Sequence, residues 1–127
     1  MSKITAAITA VGGYVPDFVL SNKVLETMVD TNDEWITTRT GIKERRILKE
    51  EGKGTSFLAI KAAENLINKS GVNPKEIDLV IVATATPDMK AASTAAYTAT
   101  QIGAANAFLV GSSISTTATD ASKNGLA

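Results

Sequence analysis

The sequence predicts an α/β fold with a mixed, mostly parallel sheet and helices. Three observations carry this. Element signals alternate as strand, helix, buried strand, helix and strand, an order that calls for crossover connections. Asp78 to Ala85 (DLVIVATA) is a continuous apolar run of the kind found in strands covered on both faces. Ahead of it, a helix beginning at Thr55 places Ala59, Ala62, Ala63, Leu66 and Ile67 on one buried stripe.

Taken in order, Lys3 to Val11 (KITAAITAV) is rich in β-branched and small residues and reads as an opening strand closed by Gly12-Gly13. Pro16 and Asp17 make a turn. Ser21 caps a short helix with Val24, Leu25 and Met28 on one face. Thr31-Asn32-Asp33-Glu34 fits a capping box in which Thr31 is the cap. The helix it opens carries Trp35 and Arg39 four residues apart, hence on the same side, and stops at Gly41. Ile42 to Leu48 alternates like an exposed or edge strand, and Glu50 to Gly54 is a charged loop. The long helix from Thr55 carries Lys61, Glu64, Asn65 and Asn68 opposite its stripe and ends at Gly71. After the Pro87-Asp88 break, Ser93 caps a helix running to Ile102 and stopped by Gly103. Ala107 to Val110 is a brief last strand. From Gly111 onward neither period is sustained.

At 127 residues the chain is long enough for one compact domain. Its 13 basic and 13 acidic residues cancel, which excludes a broad field drawing it to nucleic acid or an anionic membrane. No apolar run approaches the roughly 20 residues of a membrane span, and the first residues lack the pattern of a signal peptide. The expectation is a cytoplasmic protein. With no cysteine and no histidine, the chain builds no disulfide, zinc-thiolate, Ser-His or Cys-His site from its own residues. Any general base is a carboxylate, lysine or tyrosine.

Trp35 with Arg39 is the leading site, because an indole and a guanidinium on one face can hold a heteroaromatic ring while the cation attracts phosphate. Thr31, Thr37 and Thr38 would add hydroxyl contacts, and the helix N-terminus would favour an anion. The plain alternative is Trp35 packed at the core edge and Arg39 paired with Glu34 or Glu44. Lys43, Arg45, Arg46 and Lys49 form a basic cluster able to accept a phosphate, although such runs are commonly solvated faces. Ser112-Ser113 follows Gly111 without the G-x-S-x-G pattern or an activating base. Thr84 to Met89 (TATPDM) stands at the carboxyl end of a strand, where α/β sheets place ligands, and reads equally as a turn.

The stretch "VDTNDEWITTRTGIKERR" closely resembles the signature of β-ketoacyl-acyl-carrier-protein synthase III, a thiolase-fold condensing enzyme. "ITAVGGYVPDFVLSN", "SFLAIKAAENLINKSGVNPKEIDLVIVATATPD" and "STAAYTATQIGAANAF" extend the resemblance from Lys3 to Phe108. It implies an incomplete thiolase-like half over residues 1–108, followed by an unassigned tail over 109–127. It also implies that Thr31, Trp35 and Arg39 stand where the family binds the adenine of coenzyme A. The family reaction is acyl transfer from acyl-coenzyme A to a cysteine, then decarboxylative condensation with malonyl-acyl-carrier protein. It requires no cofactor, and its partners are acyl-coenzyme A and acyl-carrier protein within a homodimer.

The departures from the family are large. Where it continues into an Ala-Ala-Cys segment, this chain runs through Leu109, Val110 and Gly111, and the half bearing the catalytic histidine and asparagine has no counterpart. "LVGSSISTTATDASKNGLA" loosely resembles a later Val-Gly strand and serine-rich loop, as if the cysteine segment were skipped. Met89 to Ser93 (MKAAS) stands where the family has a bulkier loop that reaches the partner's acyl pocket. No catalytic residue and no metal ligand is therefore assigned. The expectation is part of such a synthase, inactive by itself and prone to self-association through an unpaired sheet edge and an uncovered apolar face. A non-enzymatic or engineered scaffold of the same fold and a long-chain acyl condensing homologue are the alternatives.

Overall fold

The computed structural model describes residues 5–88 and 93–112. The described residues divide into two compact units, one of residues 15–53 and one of residues 5–14 with 54–88 and 93–112.

The first unit is built by short local signals. Strand β1 (Val19–Ser21) runs into helix α1 (Asn22–Glu26), and Ser21 caps that helix by accepting from the Val24 N–H at 3.3 Å. Helix α2 (Asp33–Thr40) ends at Gly41, whose φ of 71° suits a residue without a Cβ. Strand β2 (Glu44–Arg46) pairs antiparallel with β1, setting Leu20 opposite Arg45. It is shorter than the alternating run from Ile42 to Leu48, because β1 offers only three residues to pair with.

In the second unit, helix α3 (Thr55–Ser70) precedes a single 3-10 turn at Pro74–Glu76 and strand β3 (Leu79–Ala83). Helix α4 (Thr94–Ile102) then crosses to strand β4 (Phe108–Ser112), which lies parallel to β3 with Leu79 opposite Phe108. This is a β-α-β crossover, the connection that parallel pairing needs. Ser93 caps α4 and Gly103 closes it, as the sequence predicts. Thr94, Ala95, Thr98 and Ala99 form its buried face, and α3 packs on α4.

Three expectations change. Of the predicted opening strand, the described residues Thr5 to Val11 form no ladder, and Ile8 is 89% exposed. β-branched composition yields a strand only when a neighbour supplies hydrogen bonds and packing, and no described strand does so here. The run at β3 is not covered on both faces: Leu79 and Ile81 are exposed while Val80 and Val82 face inward. Nor is the stripe of α3 fully buried, since no residue of that helix is. Gly12 has a clear structural reason, since a Cβ there would meet the Leu66 backbone nitrogen at 2.6 Å. Residues 113–127 and 89–92, including Ser113, the serine-rich tail and most of MKAAS, lie outside the described residues.

Candidate functional site

The site is made by α2. Asn32, rather than Thr31, is its cap: the Asn32 Oδ1 accepts from the Trp35 N–H at 2.8 Å. Both residue types suit the position, and the first helical residue is Asp33, so the cap falls one place later than the capping box suggests. Glu34 does not reach back as a capping box requires; Glu26 Oε1 accepts from the Asp33 N–H at 2.6 Å instead. Thr31 precedes the cap and is half-buried.

With the Asp33 and Trp35 amides taken and Asp33 and Glu34 in the first turn, the N-terminus of α2 does not favour a further anion. Thr37 and Thr38 are also engaged. Thr37 donates to Asp33 Oδ1 at 3.2 Å, and Thr38 donates to the Glu34 carbonyl at 2.7 Å.

Trp35 and Arg39 do come together. The guanidinium carbon of Arg39 lies 4.6 Å from the centre of the indole, inside cation–π range. Trp35 is 51% exposed and Arg39 is exposed, so the pair stands on an open face. The ion pairs among the described residues are Arg46–Glu44, Lys53–Glu50 and Lys61–Glu64, which leaves Arg39 with neither Glu34 nor Glu44. A ring inserted between indole and guanidinium needs two contact distances, about 7 Å in all. Arg39 must therefore swing away from Trp35 before the two can flank a ligand.

Behind α2 is a residue that sequence reasoning missed. Asn22 is only 2% exposed, and its amide meets Asp33, Thr37, Ile42 and Arg45. Its hydrogen bond holds the Asp33 carboxyl below its ordinary range. Burial opposes the shift, and Thr37, Lys43 and Lys23 reinforce it. A polar residue opening a five-residue helix carries no signal that separates it from the surface.

The basic cluster is partly spoken for. Arg45 donates to Asn22, Arg46 donates weakly to the Pro16 and Asp17 carbonyls at 3.4 Å, and Lys49 Nζ sits 3.4 Å from the Phe18 ring centre. The loop after β3 serves α3: Asp88 Oδ2 accepts from the Ser56 N–H at 2.8 Å, and Thr55 donates to the Thr86 carbonyl at 2.6 Å. Among the described residues no group of His, Cys, Asp and Glu could hold a metal, and no helix is long and apolar enough to cross a membrane.

No protein-family profile matches the chain. It is 59% identical over 108 residues to β-ketoacyl-[acyl-carrier-protein] synthase III 2 of Bacteroides thetaiotaomicron, across 85% of this chain and 32% of that protein. Against the synthase III of Phocaeicola vulgatus the identity is 60%, with the same coverage. This chain is related to the β-ketoacyl-acyl-carrier-protein synthases III. The crystal structure of 3-oxoacyl-[acyl-carrier-protein] synthase III from Aquifex aeolicus superposes with a TM-score of 0.77 at 44% identity, over 83% of this chain and 33% of that one. The architecture is thus an α/β part of the synthase III thiolase fold. The chain spans about a third of the length of the curated synthases III it matches.

Proposed function

We propose that the chain carries the nucleotide-recognition part of a β-ketoacyl-acyl-carrier-protein synthase III. Trp35 and Arg39 bind the adenine end of an acyl-coenzyme A, with Thr31 beside them. The observation that carries this reading is the exposed Trp35–Arg39 pair at 4.6 Å, whose guanidinium has no carboxylate partner among the described residues. An exposed indole is costly to leave in water and well shaped to stack on a purine. Opening the pair costs about 0.5–1 kcal/mol, which a stacked ring and a phosphate on Arg39 offset.

In the whole synthase the reaction is acyl transfer from coenzyme A to a cysteine, then condensation with malonyl-acyl-carrier protein, without a cofactor. Acyl-carrier protein and a second copy of the synthase are its protein partners, in the cytoplasm. Lacking Cys and His, these 127 residues hold the substrate without turning it over. A scaffold role is the second reading, favoured by the exposed Leu79, Ile81 and Phe108 on the β3–β4 sheet. Calorimetric titration with coenzyme A separates the two. Trp35→Ala and Arg39→Ala should each weaken binding about tenfold. Wild-type affinity in both variants, or no binding by the wild type, would favour the scaffold.

A further inference from the structure

A primary amide offers two donors and two lone pairs. In Asn22 both donors are used: Nδ2 donates to Asp33 Oδ1 at 2.6 Å and to the Ile42 carbonyl at 2.8 Å, with Thr37 Oγ1 at 3.4 Å. Its Oδ1 accepts from Arg45 Nη1 at 2.5 Å, and its own N–H donates to the Lys43 carbonyl at 3.1 Å. One side chain therefore ties α1 to the first and second turns of α2, to the segment leaving α2, and to β2.

Besides Asn22, the Glu26 carboxylate on the Asp33 N–H ties helix α2 to α1. The eight residues of α2 fall short of the roughly 12–15 at which an isolated helix becomes even marginal, and Ile36 is its only buried residue. At 3.6 residues per turn, the Asp33–Thr37 edge and the Trp35–Arg39 edge lie about 200° apart around the axis. Asn22 thus holds one side of a helix whose other side presents the indole and the guanidinium.

We propose that Asn22 is a positioning residue for the Trp35–Arg39 pair, its buried amide fixing the face that α2 presents to a nucleotide. The same hydrogen bond lowers the proton affinity of the Asp33 carboxyl. In its bearing on a ligand this rests on the nucleotide-site reading; in its bearing on α2 it stands alone.

The test compares wild type, Asn22→Ala, Asn22→Asp and the exchange pair Asn22→Asp with Asp33→Asn. Two readouts are taken on the full chain: amide hydrogen exchange across α2, and calorimetric affinity for adenosine 3′,5′-bisphosphate. Asn22→Asp sets two carboxylates against each other, so α2 amides should exchange at least about tenfold faster and affinity should fall about tenfold, with α3 and α4 unchanged. The exchange pair restores donor to acceptor between positions 22 and 33, while its carboxylate at 22 faces the Ile42 carbonyl without a donor, so it should recover part of both relative to Asn22→Asp. Wild-type exchange and affinity in Asn22→Asp would overturn the proposal, as would an exchange pair that recovers neither. Should Asn22→Ala fail to fold, the exchange pair still decides. A wild type that ignores the bisphosphate removes the nucleotide reading, and α2 exchange then decides whether Asn22 holds the helix.

Discussion

Asp33 shows how much a single side chain does at this site. It accepts from Asn22 and Thr37 while opening α2, and its folded proton affinity is lowered, Asn22 being the largest cause. The sign follows from the direction of the shift. A carboxyl depressed in the fold contributes stability above its ordinary value of about 3.9, and that contribution is lost as pH falls through the folded value. Acid titration followed by Trp35 fluorescence should therefore show α2 loosening below about pH 4 in the wild type. Asp33→Asn should be less stable at neutral pH and lose less on acidification; an unchanged acid profile would show that Asp33 is not the group responsible. The spacing of Trp35 and Arg39 was legible because four residues bring side chains together on any helix. Asn22 was not, because its role depends on partners up to 23 positions away.

At the scale of elements, α4 is the most readable, since Ser93 and Gly103 act within one turn of themselves. Helix α3 was legible by its period but not in how it begins. Gly54 at the cap position has no side chain to offer, and Asp88, 32 residues later than Ser56, supplies the acceptor. Nothing local to Thr55 announces this. Asp88→Ala should destabilise the unit containing α3 by about 0.5–2 kcal/mol, measured by chemical denaturation, with α2 unaffected. The β3 run was placed correctly and given the wrong surroundings. Apolar composition reports that a face can be buried, whereas burial itself depends on what else is packed there.

Across the whole molecule, Leu79 is 48% exposed, Ile81 61% and Phe108 66%, on the paired strands β3 and β4. Such a surface drives association unless something covers it. Sedimentation should show self-association that grows with concentration, and Ile81→Lys should shift the distribution toward monomer. Wild-type behaviour in that variant would place the contact elsewhere. Coverage of about a third of each relative accords with an α/β part of their fold, whose β3–β4 sheet has two parallel strands among the described residues. That the chain matches part of a synthase was legible in its resemblance to the family and in its lack of Cys and His. The ladder-free course of Thr5 to Val11 was not legible, since it turns on no strand among the described residues pairing with it.

Trp35 and Arg39 are the pair proposed to hold coenzyme A. With one tryptophan in the chain, a proton–nitrogen correlation spectrum contains one indole N–H signal. Titrating coenzyme A should move that signal saturably, together with the backbone signals of α2, and Arg39→Ala should weaken the response about tenfold. An indole signal that stays in place at saturating coenzyme A would contradict the claim.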